Sequence, residues 1–250
     1  QFGLSFTPGG LLFPYQLGIC DAFMEAGFLT PEVPIAGSSA GALTTVVVGA
    51  GLDLREVLEE TEALCEDCRT GGTRGRLRSV LVASLAKMLP EDVHERLNAR
   101  AAPASVGYTA LLPLPSGTLV SEFTSKEDVI GCLLASCHVP WWFNGSPVGR
   151  VRGQFVVDGF FGTPRGNFGA FPVPRAARTL RVSAFPSAIA RIDAAHESEV
   201  IAPDLLGEGA FAADMLVMAL NPGSTEQLTK LFEDGRKTGE IWLQKYGDMY

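Results

Sequence analysis

The sequence predicts an α/β protein of layered strands and helices, built as one domain over residues 1–250. Three observations lead there. Short apolar runs of strand character alternate with helical spacings from one end of the chain to the other, the order from which α/β sheets are made. The 250 residues, 46% hydrophobic and 19% charged, suffice for one sizeable core and suit one large domain better than two small ones. The 28 Gly and 16 Pro are scattered, so they punctuate many short elements and form no low-complexity tract. No internal repeat is visible.

Gly3-Leu4-Ser5-Phe6 reads as a short first strand, followed by the turn Thr7-Pro8-Gly9-Gly10. Phe13 to Ala26 has helical spacing, with Leu17, Cys20, Phe23 and Met24 on one stripe and Gly27 as its stop. Val33 to Gly37 is a second strand, and Ala40 to Gly51 a helix of small residues suited to close packing on a sheet. Asp53 and Glu56 are spaced as a capping box for a helix to about Arg69. Arg76 to Leu89 is a further helix, ended by Pro90. Ser105 to Leu112 and Thr118 to Phe123 read as strands joined by the turn Pro113-Leu114-Pro115-Ser116-Gly117. Ser125 to Asp128 caps a helix from Val129 to Ser136. Gln154 to Val157 and Arg181 to Phe185 are strands, and a long helix closes the chain from Thr225 to about Gln244.

Composition excludes several functions. A formal net charge of −8 argues against a nucleic-acid partner, because phosphate binding needs a basic face. Five cysteines are too few for a disulfide framework, and the odd number suits a reducing, intracellular compartment. Cys65 and Cys68 form a lone C-x-x-C without a second pair, so no metal site is expected, and on a helix they share one face. The longest apolar stretch, Ala40 to Leu52, is shorter than the roughly 18 residues a membrane span requires. A chain that begins at Gln1 reads as trimmed or processed, so its lack of a targeting segment is uninformative.

The chemistry centres on Gly37-Ser38-Ser39-Ala40-Gly41, a G-x-S-x-G between a strand and a helix. In that context the small residues allow a sharp turn that lifts the Ser39 hydroxyl above the sheet edge, near the positive end of a helix. The alternative is an ordinary Gly/Ala/Ser turn. A serine nucleophile needs a base. The familiar order Ser, Asp, His would use Ser39, Asp158 and His196. Only 38 residues precede Ser39, however, too few for the sheet of an ordinary α/β-hydrolase, and His196 lies in a polar stretch that reads as exposed. Asp158 alone is the better partner. It ends the apolar strand Phe155-Val156-Val157 before Gly159, and partial burial there would raise its pKa and its competence as a base. An ordinary Asp-Gly turn is the competing reading. The turn Pro8-Gly9-Gly10-Leu11 follows a strand and opens a helix, so its amides are positioned to converge on an oxyanion.

With a Gly-rich turn, G-x-S-x-G and Asp158-Gly159 in that order, the chain resembles the patatin-like phospholipase family, above all its animal-type branch that includes adipose triglyceride lipase. Phe6-Thr7-Pro8-Gly9-Gly10-Leu11-Leu12-Phe13, Leu89-Pro90-Glu91-Asp92-Val93-His94, Phe123 to Asp128 and Glu233-Asp234-Gly235-Arg236 carry the resemblance over most of the chain. It implies a three-layer fold, a central mixed sheet between helices, without metal or organic cofactor. It also implies a Ser39 nucleophile with Asp158 as sole partner, an oxyanion hole of Gly9, Gly10 and Leu11, and supporting glycines at Gly37, Gly41 and Gly159. His94 falls on a landmark without a catalytic role. The implied substrates are acyl esters of acylglycerols or phospholipids, cleaved through an acyl-enzyme. Three residues depart from the family pattern: Pro8, Phe13, and Phe160 in place of a small third residue after Asp158-Gly159. They motivate an alternative, a catalytically idle lipid-binding or scaffold subunit.

A lipid esterase must meet an interface, so peripheral contact with a membrane or lipid droplet is expected. Val139-Pro140-Trp141-Trp142-Phe143 is an aromatic patch suited to the water–lipid boundary, or else to the core or an acyl groove. Arg74, Arg76 and Arg78 would touch anionic headgroups or simply form a solvated helix start.

Overall fold

The computed structural model describes residues 2–207 and 212–250. In chain order its elements are β1 (Phe2–Phe6), α1 (Phe13–Glu25), β2 (Ile35–Ser38), α2 (Ala40–Gly49), α3 (Leu54–Gly71), α4 (Leu77–Met88), α5 (Val93–Asn98), β3 (Ala104–Ala110), β4 (Ser116–Val120) and α6 (Lys126–Ser136). They continue with β5 (Gly149–Val151), β6 (Gln154–Val157), β7 (Arg178–Val182), α7 (Ser187–Ala190), β8 (Val200–Ile201), α8 (Ala212–Leu220) and α9 (Thr225–Tyr246). The strands join in one mixed sheet in the order β5-β6-β3-β2-β1-β7-β8, with β4 also paired to β3. β3, β2, β1, β7 and β8 run parallel, whereas β4 and β6 are antiparallel to β3, and β5 to β6. The fold is thus the expected mixed sheet flanked by helices.

Strand alternation decides what each face receives. Leu4, Phe6, Ile35 and Val106 are fully buried and share register on the face that carries α2. Gly3 and Gly107 lie on the opposite face, where a Cβ would collide with Val173 and with the Phe171 ring at 2.5 and 2.4 Å. That face is therefore covered by the segment after β6. Helix α9 seats on α1 with backbones nearly touching: a Cβ on Gly235 would stand 2.1 Å from the Tyr15 carbonyl oxygen. Tyr15 and Thr238 hydroxyls hydrogen-bond at 2.7 Å across this seam, and Arg236 pairs with Asp21 and Glu25. Among the described residues no helix is long and apolar enough to cross a membrane.

Element ends differ from expectation where side chains intervene. β3 stops at Ala110 and β4 starts at Ser116, because Ala110 pairs with Ser116 and the prolines at 113 and 115, which have no N–H to give a ladder, fall in the connection. β7 begins three residues earlier than expected and ends at Val182, where Ser183 turns the chain by accepting from the Phe185 amide at 3.0 Å. Asp53 caps α3 through the Arg55 and Glu56 amides, while the reciprocal capping box occurs at Ser224 and Gln227 of α9. Cys65 and Cys68 are both buried on the inner face of α3, and all five cysteines are free thiols.

Candidate active site

Ser39 joins β2 to α2 with φ 54° and ψ −124°. Holding a residue with a side chain in that region costs about 1–3 kcal/mol. The turn closes only because its neighbours lack a Cβ: one on Gly37 would stand 2.1 Å from the Gly41 carbonyl oxygen, and one on Gly41 2.2 Å from that of Phe6. Three distant segments then pin it. The Ser39 amide donates to Ser136 Oγ at 2.7 Å, and that hydroxyl donates onward to the Gly107 carbonyl at 2.6 Å. Ser38 Oγ donates to the Gly169 carbonyl at 2.7 Å.

Asp158 follows β6 and is 2% exposed. Its amide donates to the His138 carbonyl at 2.9 Å, and its carbonyl accepts from Thr109 Oγ1 at 2.7 Å. Its Oδ1 accepts from the Phe160 amide at 2.9 Å. Burial pushes the carboxyl up to about 6, against the lowering pull of the Phe160 amide and the Ser39 hydroxyl. Near neutral pH it is therefore ionised, yet more basic than a carboxylate in water. The Cys137 thiol neighbours both groups: burial, then the charge of Asp158, raises its pKa, and a hydrogen bond with Ser39 opposes them.

The turn after β1 supplies the third part. Gly10 to Leu12 make one 3-10 turn, Gly10 has φ 55°, and a Cβ on it would meet the Ala219 carbonyl oxygen at 2.2 Å. Buried Gln16 ties this turn to α2, donating to the Thr7 carbonyl at 2.7 Å and accepting from Thr44 Oγ1 at 3.0 Å.

A cavity of about 300 Å³ unites these parts. Gly9, Gly10, Leu11, Ser39 and Asp158 all line it. The rest of its wall is almost wholly apolar, from Leu64 of α3, Leu77, Leu81, Leu85 and Met88 of α4, and Trp142, Phe160 and Phe168. Gly37, Gly41 and Gly159 do not line it; they act through the close backbone approaches they permit. Pro8 and Phe13 line it as well, and the turn is formed with both in place. Phe160 is accommodated by packing edge-on against Phe161 and Phe168, each at 5.5 Å, while its amide holds Asp158.

Other expected residues lie elsewhere. His196 is exposed and lines a separate cavity with Ser187 and Asp204, and no histidine is among the described residues lining the Ser39 cavity. His94 is on α5, with Nε2 3.9 Å from Glu95. The two adjacent tryptophans part company: Trp141 is 61% exposed, whereas Trp142 lines the cavity. Arg76 pairs with Asp67, while Arg74 and Arg78 take part in no ion pair among the described residues. Sequence reasoning missed Ser136, Cys137, Thr109 and Gln16. Each is a small or polar residue in an otherwise ordinary apolar element, and only the fold brings it to Ser39, Asp158 or the first turn.

Fold and cavity define the class: an α/β protein with a serine set in an apolar cavity. The family model for patatin-like phospholipase matches residues 4–166, from β1 to just beyond Asp158. The chain belongs to that family, whose members are lipid acyl hydrolases or acyltransferases. It is 28% identical, over 100% of its length, to the mouse (Mus musculus) 1-acylglycerol-3-phosphate O-acyltransferase Pnpla3, of which it spans 58%. It is 32% identical to the human (Homo sapiens) patatin-like phospholipase domain-containing protein 4, over 74% of this chain and 72% of that protein. The chain thus spans little more than half the length of the first of these relatives. The crystal structure of VipD from Legionella pneumophila superposes with a TM-score of 0.54 at 13% identity, over 97% of this chain and 66% of that one, a likeness of fold.

Proposed function

We propose that this protein cleaves carboxylic esters of acylglycerols or phospholipids through a Ser39–Asp158 dyad. One observation carries the reading: a serine held at a strained strand-to-helix turn shares an apolar cavity with a buried carboxylate raised to about 6. Ser39 Oγ attacks the ester carbonyl carbon while Asp158 takes its proton. The oxyanion faces the amides of Gly9, Gly10 and Leu11. Collapse breaks the ester bond, and the departing alkoxide takes the proton from Asp158. Water then attacks the acyl-Ser39 carbonyl, giving its proton to Asp158. Release of the fatty acid returns that proton to Ser39 Oγ. The leucine-lined wall receives the acyl chain.

A second acceptor fits the same intermediate. An alcohol of another lipid in place of water gives acyl transfer, which the similarity to the mouse relative, named as an O-acyltransferase, favours. Either reaction requires an interface, and we assign peripheral contact to the cavity mouth, where Phe160, Phe161 and Leu220 are 40%, 54% and 49% exposed. The test is fluorophosphonate labelling mapped by mass spectrometry, beside lipid product profiling of wild type and Ser39→Ala. Labelling at Ser39, with fatty acid or acylated lipid lost in the variant, is expected. Full activity in Ser39→Ala would exclude the dyad, and an unlabelled Ser39 in folded protein would favour the scaffold reading.

A further inference from the structure

A second cavity, of about 390 Å³, lies on the other side of the loop that walls the acyl cavity. Along residues 137–146 the chain alternates: Cys137, Val139 and Trp142 line the first cavity, and His138, Asn144 and Ser146 the second. Arg78, just inside α4, and Arg150, on the edge strand β5, complete its polar lining, and no carboxylate is among the described residues that line it. In a chain of net charge −8 this is an isolated basic hollow. Neither arginine takes part in an ion pair among the described residues.

The donors are held ready. The Arg150 guanidinium stacks 4.3 Å over the Phe155 ring, its cross-strand neighbour. The Arg78 amide donates to the Phe143 carbonyl at 3.2 Å and the Gly75 amide to that of Trp142 at 2.7 Å, so the start of α4 and the loop move as one. Asn144 uses Oδ1 to accept from the Ser146 amide at 3.0 Å, which leaves its NH2 unengaged among the described residues. His138 is 2% exposed and spends Nε2 on the Ser146 carbonyl at 3.3 Å; burial, with the nearby Arg78 charge, lowers its pKa against the raising pull of that bond. Two guanidiniums and an amide NH2 around a hollow without carboxylates make a site for a phosphate group.

The loop also says where that phosphate resides. Trp141 takes φ 63°, its amide is bound to the Ser146 carbonyl at 2.9 Å, and its side chain is 61% exposed. An exposed indole on a braced turn is an interfacial anchor. We propose that the Arg78–Arg150 hollow binds the phosphate of an anionic phospholipid headgroup, a monoester free of any choline cation, while Trp141 enters the interface beside it, docking the acyl cavity on the lipid surface. This rests on the interfacial reading above and adds to it a headgroup site outside the Ser39–Asp158 cavity. The same donors would accept free phosphate, and the experiment separates the two sources.

Flotation of the wild-type chain is measured with vesicles of ether-linked phosphatidylcholine, with and without a fraction of ether-linked phosphatidic acid, lipids that have no carboxylic ester to cleave. Phosphatidic acid is expected to tighten binding, and Arg78→Gln/Arg150→Gln to lower that gain by about tenfold or more, two basic side chains' worth at an anionic surface. Trp141→Ala should weaken binding to both vesicle types. Arg150→Gln alone, an exposed edge-strand change, gives the same direction should the double variant fail to fold. Equal binding to both vesicle types overturns the headgroup site and leaves the interfacial reading standing; binding to neither overturns both. A melting temperature raised by inorganic phosphate and abolished by Arg150→Gln, without vesicle preference, overturns the lipid assignment in favour of a soluble phosphate ligand.

Discussion

Replacing Asp158 by Asn should stabilise the protein while silencing it. The carboxyl moves from an ordinary 3.8 to about 6 on folding, because burial disfavours its charge more than the Phe160 amide and the Ser39 hydroxyl favour it. A folded-state pKa raised above the unfolded one means that the folded protein binds this proton more tightly. The associated stability is complete below the unfolded value and disappears as pH rises through about 6. A shift of about two units at about 1.4 kcal/mol each is roughly 3 kcal/mol, carried as a penalty by the ionised wild type at about pH 8. Asn keeps an oxygen for the Phe160 amide and removes the charge. Asp158→Asn should therefore gain up to roughly 3 kcal/mol at about pH 8, some 6–12 °C in Tm, and less than about 1 kcal/mol at about pH 4. Thermal and urea melts of both proteins across that range check it, with ester turnover measured in parallel. A stability difference independent of pH, or a variant less stable than wild type at high pH, would refute the claim that burial dominates the Asp158 site.

Four further outcomes follow from the same geometry. The kcat/KM profile on a soluble ester should fall on the acid side with an inflection near 6, where Asp158 takes up its proton; a flat profile through that range removes Asp158 as base. Ser39→Gly should be more stable than Ser39→Ala by about 1 kcal/mol or more in urea midpoints, since glycine alone adopts φ 54° without strain, with both variants inactive. Ser136→Ala leaves the buried Ser39 amide without its acceptor, at about 1–3 kcal/mol of stability, and should lower kcat more than it changes KM. Leu81→Trp, filling the acyl wall, should depress hydrolysis of long-chain esters by about tenfold or more while a butyrate ester is spared, as comparison of the two substrates will show.

What the sequence reveals is what neighbouring residues decide. Gly37 and Gly41 announce a turn that no residue with a Cβ permits, and the apolar run ending at Asp158 announces a carboxylate at a sheet edge. Helix α9 starts at Thr225, where its periodicity says. Elements such as β5, β8 and α7 escape because two to four residues carry no period, and their existence depends on a neighbouring strand or turn. Ser136 escapes for a different reason: it is 97 residues from the amide it receives, and nothing in the run Leu133 to Cys137 distinguishes its hydroxyl from any buried serine. The Arg78–Arg150 hollow was half visible, as an arginine at a helix start. Its other half lies on a three-residue edge strand that only the fold brings alongside.

The apolar wall and the basicity of Asp158 have one cause. The apolar side chains that line the cavity help bury the carboxylate, and that burial is what lifts its pKa to about 6. A histidine in the role of base would serve at neutral pH without such help; a carboxylate serves there only if it is buried. In the proposed reaction the substrate class and the base are therefore coupled. Widening the wall to admit water would lower the Asp158 pKa and weaken it as a base, even with Ser39 and its turn untouched. The strain at Ser39 belongs to the same arrangement, since the turn that exposes its hydroxyl to the cavity also sets the α2 N-terminus behind it. In the proposed reaction, selection between water and a lipid alcohol then falls to the mouth of the cavity. Phe160, Phe161 and Leu220 are exposed there, and on the proposed interfacial reading an acceptor arriving from the lipid side need not cross water to reach the acyl-enzyme.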